Sequence, residues 1–293
     1  MNPEEVAAEV RRIEITTRHL VRDIVAGEYS SAFRGRGVEF AEVREYQPGD
    51  DVRTIDWNVT ARLGTAYVKR FLEERELTVL FVVDYSASDS FGSGQQSKRS
   101  LATEVCAVIA LAAARSNDRV GAAFFTDRLE RYVPPRKGRR QVLRVVSELL
   151  SYQPVGQGTD LAGSLLVLEP FLRRRSVLFV VSDFIADNWG PILGRLSRRH
   201  DVIAVQLVDP RERELPDVGV VALRDAETDE WCYVDTGSPS VQAHLRARVA
   251  AFDAQVDRTV RENRADLLRL DAGAPYGEPL IAFFRRRERM QWR

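Results

Sequence analysis

Thr78-Val79-Leu80-Phe81-Val82-Val83-Asp84-Tyr85-Ser86-Ala87-Ser88 is the stretch on which the reading of this chain turns. An uncharged run rich in β-branched residues ends abruptly on a carboxylate followed by hydroxyls. Alternate residues of a strand point to opposite faces, so a run without a polar face belongs inside a sheet covered on both sides. The same pattern returns at Ser176 to Val181, which ends in Ser182-Asp183, and at Val202 to Val208, which ends in Asp209. Val120 to Phe125 reads as a further strand, and Leu129 to Val133 continues the sheet. Between these runs, helical periodicity covers about Lys98 to Ala114, Arg139 to Ser151, Asp160 to Leu172 and Trp189 to Arg199. Strands alternating with helices of this length imply a doubly wound, mostly parallel α/β sheet over residues 77–235.

Upstream, Val6, Val10, Ile13, Thr17, Leu20 and Ile24 recur at helical spacing, so residues 3–25 read as one amphipathic helix closed by Gly27. A Gly/Ser/Arg-rich loop, Ser30 to Gly37, leads into a segment with turn chemistry at Gln47-Pro48-Gly49-Asp50 and a break at Leu63-Gly64-Thr65. Its Val, Phe, Tyr, Ile and Trp content predicts short strands, with Trp57 as apolar anchor and the dense charges from Arg44 to Arg62 as a paired network. Residues 1–76 are therefore expected to be an N-terminal helix and small β-rich extension. Downstream, Val218 to Leu223 and Trp231 to Asp235 suggest a strand or hairpin, and Ser240 to Leu270 reads as one long helix. Residues 236–293 are expected to pack on the α/β domain as this helix and an apolar-centred tail.

Composition narrows the function. Lys+Arg and Asp+Glu are 43 each, and hydrophobic residues make up 44% of the 293 residues. That composition excludes disorder as the main state and argues against coating nucleic acid, for which a basic excess is usual. Almost all the basic residues are arginine; lysine occurs only at Lys69, Lys98 and Lys137. Two distant cysteines, Cys106 and Cys232, in apolar surroundings make neither a disulfide framework nor a zinc site. A reducing, cytoplasmic setting without membrane insertion is expected, since Val105 to Ala114 is the longest uncharged apolar run and the N-terminus lacks a signal-peptide core.

In open parallel sheets ligands bind beyond the carboxyl ends of the strands. Asp84, Ser86 and Ser88 lie at that edge, as does Asp183, and Gly156-Gln157-Gly158-Thr159-Asp160 supplies a flexible loop leading into a helix. Carboxylates and hydroxyls are hard oxygen donors, suited to magnesium, calcium and manganese. The same residue types also cap helices and satisfy loop amides at strand ends.

These residues resemble the von Willebrand factor type A domain and its metal-ion-dependent adhesion site. That site is a D-x-S-x-S loop with a distant Thr and a distant Asp, matched in order by Asp84, Ser86, Ser88, Thr159 and Asp183. The resemblance covers roughly Leu77 to Asp235. It implies that Ser86, Ser88 and Thr159 touch Mg2+ (or Mn2+ or Ca2+) through hydroxyls, while Asp84 and Asp183 hold it mainly through waters. A carboxylate from a partner protein would fill the remaining vertex, making the site an affinity device that need not break bonds. Asp89 departs from the small or apolar residue that many relatives carry after the second serine.

A second block is similar to the bacterial family named domain of unknown function 58. It comprises Gly35 to Phe40, Arg44 to Trp57, Ala61-Arg62, Phe71 to Arg75 and the Phe283-Phe284-Arg285 ending. Members of that family contain a von Willebrand A domain and are typically encoded beside MoxR-type AAA+ ATPases. The resemblance implies a non-enzymatic adaptor or co-chaperone of such an ATPase, in complex maturation, metal insertion or envelope stress, with a client bearing an acidic residue. The alternative is a metal-dependent hydrolase such as a phosphoesterase, which needs a general base; Asp89, Asp160 and Asp187 are the local candidates. Gly92 to Lys98 is not a phosphate loop, because Ser97 stands where glycine must precede the lysine and Arg99 where a hydroxyl must follow it. His19, His200 and His244 show no metal spacing.

Overall fold

The run ending at Asp84 is a strand in the middle of a six-stranded sheet. The structure is a computed structural model and describes residues 3–24, 32–33, 39–72, 76–86, 96–156, 158–224 and 230–291. In chain order the elements are α1 (Pro3–Thr16), α2 (Arg18–Asp23), β1 (Glu39–Glu45), α3 (Trp57–Leu63), β2 (Tyr67–Leu72), β3 (Thr78–Asp84) and α4 (Lys98–Arg115). They continue as β4 (Arg119–Phe125), β5 (Leu129–Arg136), α5 (Arg139–Ser151), α6 (Leu161–Leu168), β6 (Val177–Ser182), α7 (Trp189–Ser197), β7 (Asp201–Val208) and α8 (Pro210–Arg213). The last are β8 (Val220–Arg224), β9 (Trp231–Asp235), α9 (Pro239–Glu262), β10 (Asp266–Asp271) and α10 (Gly277–Gln291).

The sheet order is β10-β7-β6-β3-β4-β5. All neighbours pair in parallel except the β4–β5 hairpin at one edge. The expected central, doubly covered strand has a direct physical form here. Val79, Phe81 and Val83 enter one core with α4, α5, the N-terminal helices and α10, while Leu80 and Val82 enter the other with α6, α7 and the end of α9. Both faces of β3 are dry, which is why its sequence has no polar alternation. In the first core Phe81 and Phe179 stack with ring centroids 5.6 Å apart, and Phe33 meets Phe284 edge-on at 5.7 Å.

Several expectations are corrected. Ser240 to Leu270 is not one helix. α9 ends at Glu262, Arg264 takes a left-handed φ of +56°, and β10 then joins the sheet edge in parallel with β7. Leu267, Leu268 and Leu270 fit a further helical turn as well as a strand, so periodicity alone could not separate the two. Residues 236–293 thus supply the sixth strand instead of packing on a finished sheet, and the apolar-centred tail is helix α10. The N-terminal helix is interrupted at Thr17, and Gly27 lies outside the described residues. Ile13, Val21 and Ile24 belong to the core around β3, so residues 1–33 form one unit with 77–293, apart from 34–76. β8 and β9 pair only with each other.

The unit of residues 34–76 is less purely β than expected. β1 and β2 pair antiparallel, with α3 between them in sequence. Asp56 caps α3 by accepting from Asn58 N–H at 3.0 Å, and Gly64 ends it at φ +77°. Arg44 grips Asp50 with two hydrogen bonds of 2.8 and 2.6 Å, one pair of the expected network. Trp57 is 69% exposed and so is not the core anchor expected; among the described residues of this unit Val68 is the buried apolar one. Cys106 is buried, and Cys232 is exposed on β9 between Trp231 and Tyr233 and opposite Leu223. Among the described residues no helix is long and apolar enough to cross a membrane.

Docking of α10 is measurable. Phe284 is fully buried against Phe33 and Phe283. Phe284→Ala should lower unfolding stability by about 3–5 kcal/mol in urea titration. A loss below about 1 kcal/mol would show that α10 does not pack on this core.

Candidate functional site at the carboxyl edge of β3 and β6

From β3 the chain moves to β4 and β5 on one side, then returns to place β6, β7 and β10 on the other. The direction of winding therefore reverses between β3 and β6, and such a switch point leaves a crevice outside the strand ends. Asp84 ends β3 there, and Ser182 and Asp183 end β6. The register Val83–Val181 sets Asp84 beside Ser182, whose hydroxyl donates to Asp84 Oδ2 at 2.7 Å. Asp84 Oδ1 accepts from Ser86 N–H at 2.9 Å. Burial first, and then the nearby Asp183 carboxylate, push the Asp84 carboxyl up to about 6 against the pull of these hydrogen bonds.

Asp183 has a partner that the sequence did not suggest. Its Oδ2 accepts from the Lys98 ammonium at 2.9 Å, and the same ammonium reaches Glu212 Oε1 at 2.7 Å. Lys98 is 0% exposed and is the first residue of α4, where the helix dipole disfavours a cation. Its position is explained by the carboxylates it meets. Glu212 is held for this contact by a capping box, because its other oxygen accepts from Asp209 N–H while Asp209 accepts from Arg211 N–H. Beyond Asp183 the backbone turns sharply. Phe184 adopts φ +62°, costly for a bulky residue, and buries its ring 5.0 Å from Trp189. Ser182 Oγ accepts from Phe184 N–H and Asp183 Oδ1 from Ile185 N–H, which fixes the turn.

The loop carrying Thr159 is tied to the same edge from the β4 side. Asp160 N–H donates to the Thr126 carbonyl at 2.8 Å. Glu130 accepts from Thr126 Oγ1, Tyr152 OH and the amides of Val155 and Gly156 at 2.6–2.9 Å. Burial works to raise the Glu130 carboxyl, but these four donors outweigh it and bring it down to about 2. A Cβ at Gly156 would collide with Thr126 and Asp127, so the loop approaches β4 closely only with glycine there.

Of the expected ligands, Asp84, Ser86 and Asp183 lie at one edge and are buried, and Thr159 lies in the anchored loop, half-buried. Ser88 and Asp89 fall outside the described residues. Among the described residues no three His, Cys, Asp or Glu side chains group as a metal cluster. A mixed set of hydroxyls and carboxylates has a different chemistry and fits a hard cation. Asp183 shares the Lys98 ammonium with Glu212, and the Asp84 carboxyl, raised by burial and then by the Asp183 charge, has hydroxyl and amide donors from Ser182 and Ser86. The residues present therefore suit a divalent ion. Sequence reasoning placed Ser182 at this edge beside Asp183 but missed Lys98, Glu212 and Glu130. The available signal for Lys98 was its rarity in an arginine-dominated chain.

Fold and site together define an α/β protein with a six-stranded, mostly parallel sheet and oxygen-bearing side chains at its switch point. The chain belongs to the family described as "Protein of unknown function DUF58", whose sequence profile matches residues 42–255. It is similar to uncharacterized proteins of Mycobacterium bovis and Mycobacterium tuberculosis, each 35% identical over 289 residues, covering 97% of this chain and 90% of theirs. Among solved structures it is similar in fold to an aerotolerance-related membrane protein from Bacteroides fragilis. There the TM-score is 0.50 and the identity 14%, over 73% of this chain and 99% of that one.

Removal of the internal ammonium tests the charge arrangement. Lys98→Met should cost about 3–5 kcal/mol at neutral pH, because Asp183 is then buried without its cation. Equal urea midpoints for variant and wild type at neutral pH would contradict the pairing.

Proposed function

We propose that this chain is a von Willebrand A type module that binds a protein partner through a divalent cation, Mg2+ or else Mn2+ or Ca2+. Asp84, Ser86, Ser88, Thr159 and Asp183 are the residues that would hold the ion. The observation that carries the reading is the pair Asp84 and Asp183, buried at adjacent strand ends, where burial and the neighbouring carboxylate raise Asp84. The strand order around a switch point and the glycine loop anchored by Glu130 support it. A bound ion supplies a positive centre for an acidic side chain of a client. Of the three candidate bases, Asp160 is engaged in capping α6 through Gly163 N–H, Asp187 is exposed and Asp89 lies outside the described residues, so binding is the reading taken. Family resemblance extends the reading to a cytoplasmic, non-enzymatic adaptor or co-chaperone of a MoxR-type AAA+ ATPase, in complex maturation or metal insertion.

The sign of the pH effect follows from Asp84. Its folded value of about 6 lies above the ordinary 3.8, so the metal-free fold favours the neutral acid. That contribution is fully present below pH 4 and lost as pH rises through 6, a change on the order of 3 kcal/mol. Thermal melts should therefore show Mg2+ or Mn2+ stabilising the protein strongly above pH 6 and weakly at pH 5. Asp84→Asn should remove the metal response and raise the metal-free melting temperature at pH 7.5. An unchanged melt on adding either ion to the wild type would exclude the site. Separately, capture of a co-encoded MoxR-type ATPase should weaken with EDTA and with Asp84→Ala; equal capture in all three conditions would contradict the adaptor role.

A further inference from the structure

The amino edge of the sheet, opposite the candidate site, carries a cluster of arginines. Arg173, Arg174 and Arg175 precede β6, and Arg198 and Arg199 precede β7. Because β6 and β7 pair in parallel, with Val177 beside Asp201, both loops lie at the same edge. Hydrogen bonds stitch them together. Asp201 N–H donates to the Ser176 carbonyl at 2.9 Å, Ser176 N–H to His200 Nδ1 at 3.2 Å, and Arg199 Nη2 to the Arg173 carbonyl at 2.5 Å. We propose that this edge docks on an anionic lipid bilayer, on which the protein lies without spanning it.

The charge is local and uncompensated. Basic and acidic residues are 43 each in the whole chain, so five arginines on two adjoining loops are an excess confined to this edge. All five are exposed, and none makes an ion pair among the described residues. The acids of the same two segments are engaged elsewhere, Glu169 with Arg195 at 2.5 Å and Asp201 with Arg287 at 2.6 Å. His200, between the loops, feels this field. Burial first, and then the Arg199 charge, bring its imidazole down to about 4, so it stays neutral and accepts from Ser176.

Exposed hydrocarbon adjoins the charge. Val167, Pro170 and Phe171 stand at i, i+3 and i+4 along the end of α6 and the turn after it, while Leu165, Leu168 and Leu172 are buried. Val167 and Phe171 are 55% and 53% exposed, and Leu166 is 47% exposed. This strip runs directly into the arginine loop, where Arg173 N–H donates to the Phe171 carbonyl at 3.0 Å. Guanidiniums engage lipid phosphates while neighbouring apolar side chains enter the acyl boundary. Nucleic acid matches the charge but not the strip, because Leu166 and Val167 offer no planar face on which a base could stack. An acidic polypeptide would neutralise the arginines and leave the strip in water. The six residues of β6 set about 20 Å between this edge and Asp183, so docking leaves the candidate site facing away from the bilayer.

Co-sedimentation of the full chain with lipid vesicles tests the proposal, in EDTA so that no divalent ion bridges carboxylate to lipid. The chain should bind vesicles of equal parts phosphatidylglycerol and phosphatidylcholine, ignore phosphatidylcholine alone, and bind more weakly as salt rises. Arg173→Glu combined with Arg198→Glu should weaken binding about tenfold or more, and Leu166→Ser combined with Val167→Ser roughly fivefold. Reversing two exposed arginines of α10, Arg285→Glu with Arg289→Glu, changes the net charge equally and should leave binding within about twofold. Every replaced side chain is solvent-accessible, so thermal melts should stay as in the wild type. No sedimentation with anionic vesicles, wild-type binding by either edge variant, or an equal loss in the α10 variant overturns the proposal. Retention on polyglutamate or duplex DNA without vesicle binding assigns the arginines to another class of partner and overturns it as well.

Discussion

Buried carboxylates without enough positive charge are the constraint around which this protein is organised. Two parallel strands, hydrophobic on both faces, finish side by side on Asp84 and Asp183. Parallel pairing leaves no freedom to separate them, so their mutual repulsion is built into the sheet. The protein answers in part with Lys98 and with hydroxyl and amide donors from Ser182 and Ser86. A low-dielectric site makes each of these strong, and it makes the remaining imbalance equally costly.

The surrounding elements act as supports. α4 brings Lys98 to its N-terminus against the helix dipole, the α8 capping box aims Glu212, and the strained Phe184 turn orients Asp183. On the opposite side of β3, Glu130 gathers donors from β4, Tyr152 and the glycine loop. These contacts come from segments far apart in sequence, although most of the groups sit on loops or element ends. Beyond it, α9 and the hairpin leave apolar surface next to the polar floor.

Legibility from sequence followed how local each determinant was. β3, β6 and β7 could be read directly because a strand buried on both faces has nothing polar to confuse it, and α5 because its apolar positions recur strictly at helical spacing. β10 could not, since Leu267, Leu268 and Leu270 satisfy both periods and only pairing with β7 decides. Trp57 read as core by residue type alone, whereas its place on α3 leaves it exposed. Asp84, Ser86 and Asp183 were legible as oxygen donors at strand ends. The Lys98–Asp183–Glu212 contact joins three elements and has no local pattern, and the glycines before Lys98 drew attention toward a phosphate loop instead.

Anomalous diffraction from crystals soaked in Mn2+ at pH 7.5 addresses the central claim most directly. The account predicts a single strong peak within coordinating distance of Ser86 and close to Asp84 and Asp183, with Lys98 still paired to Asp183. No peak at that edge, with Asp84 protonated and its partners unchanged, would contradict it.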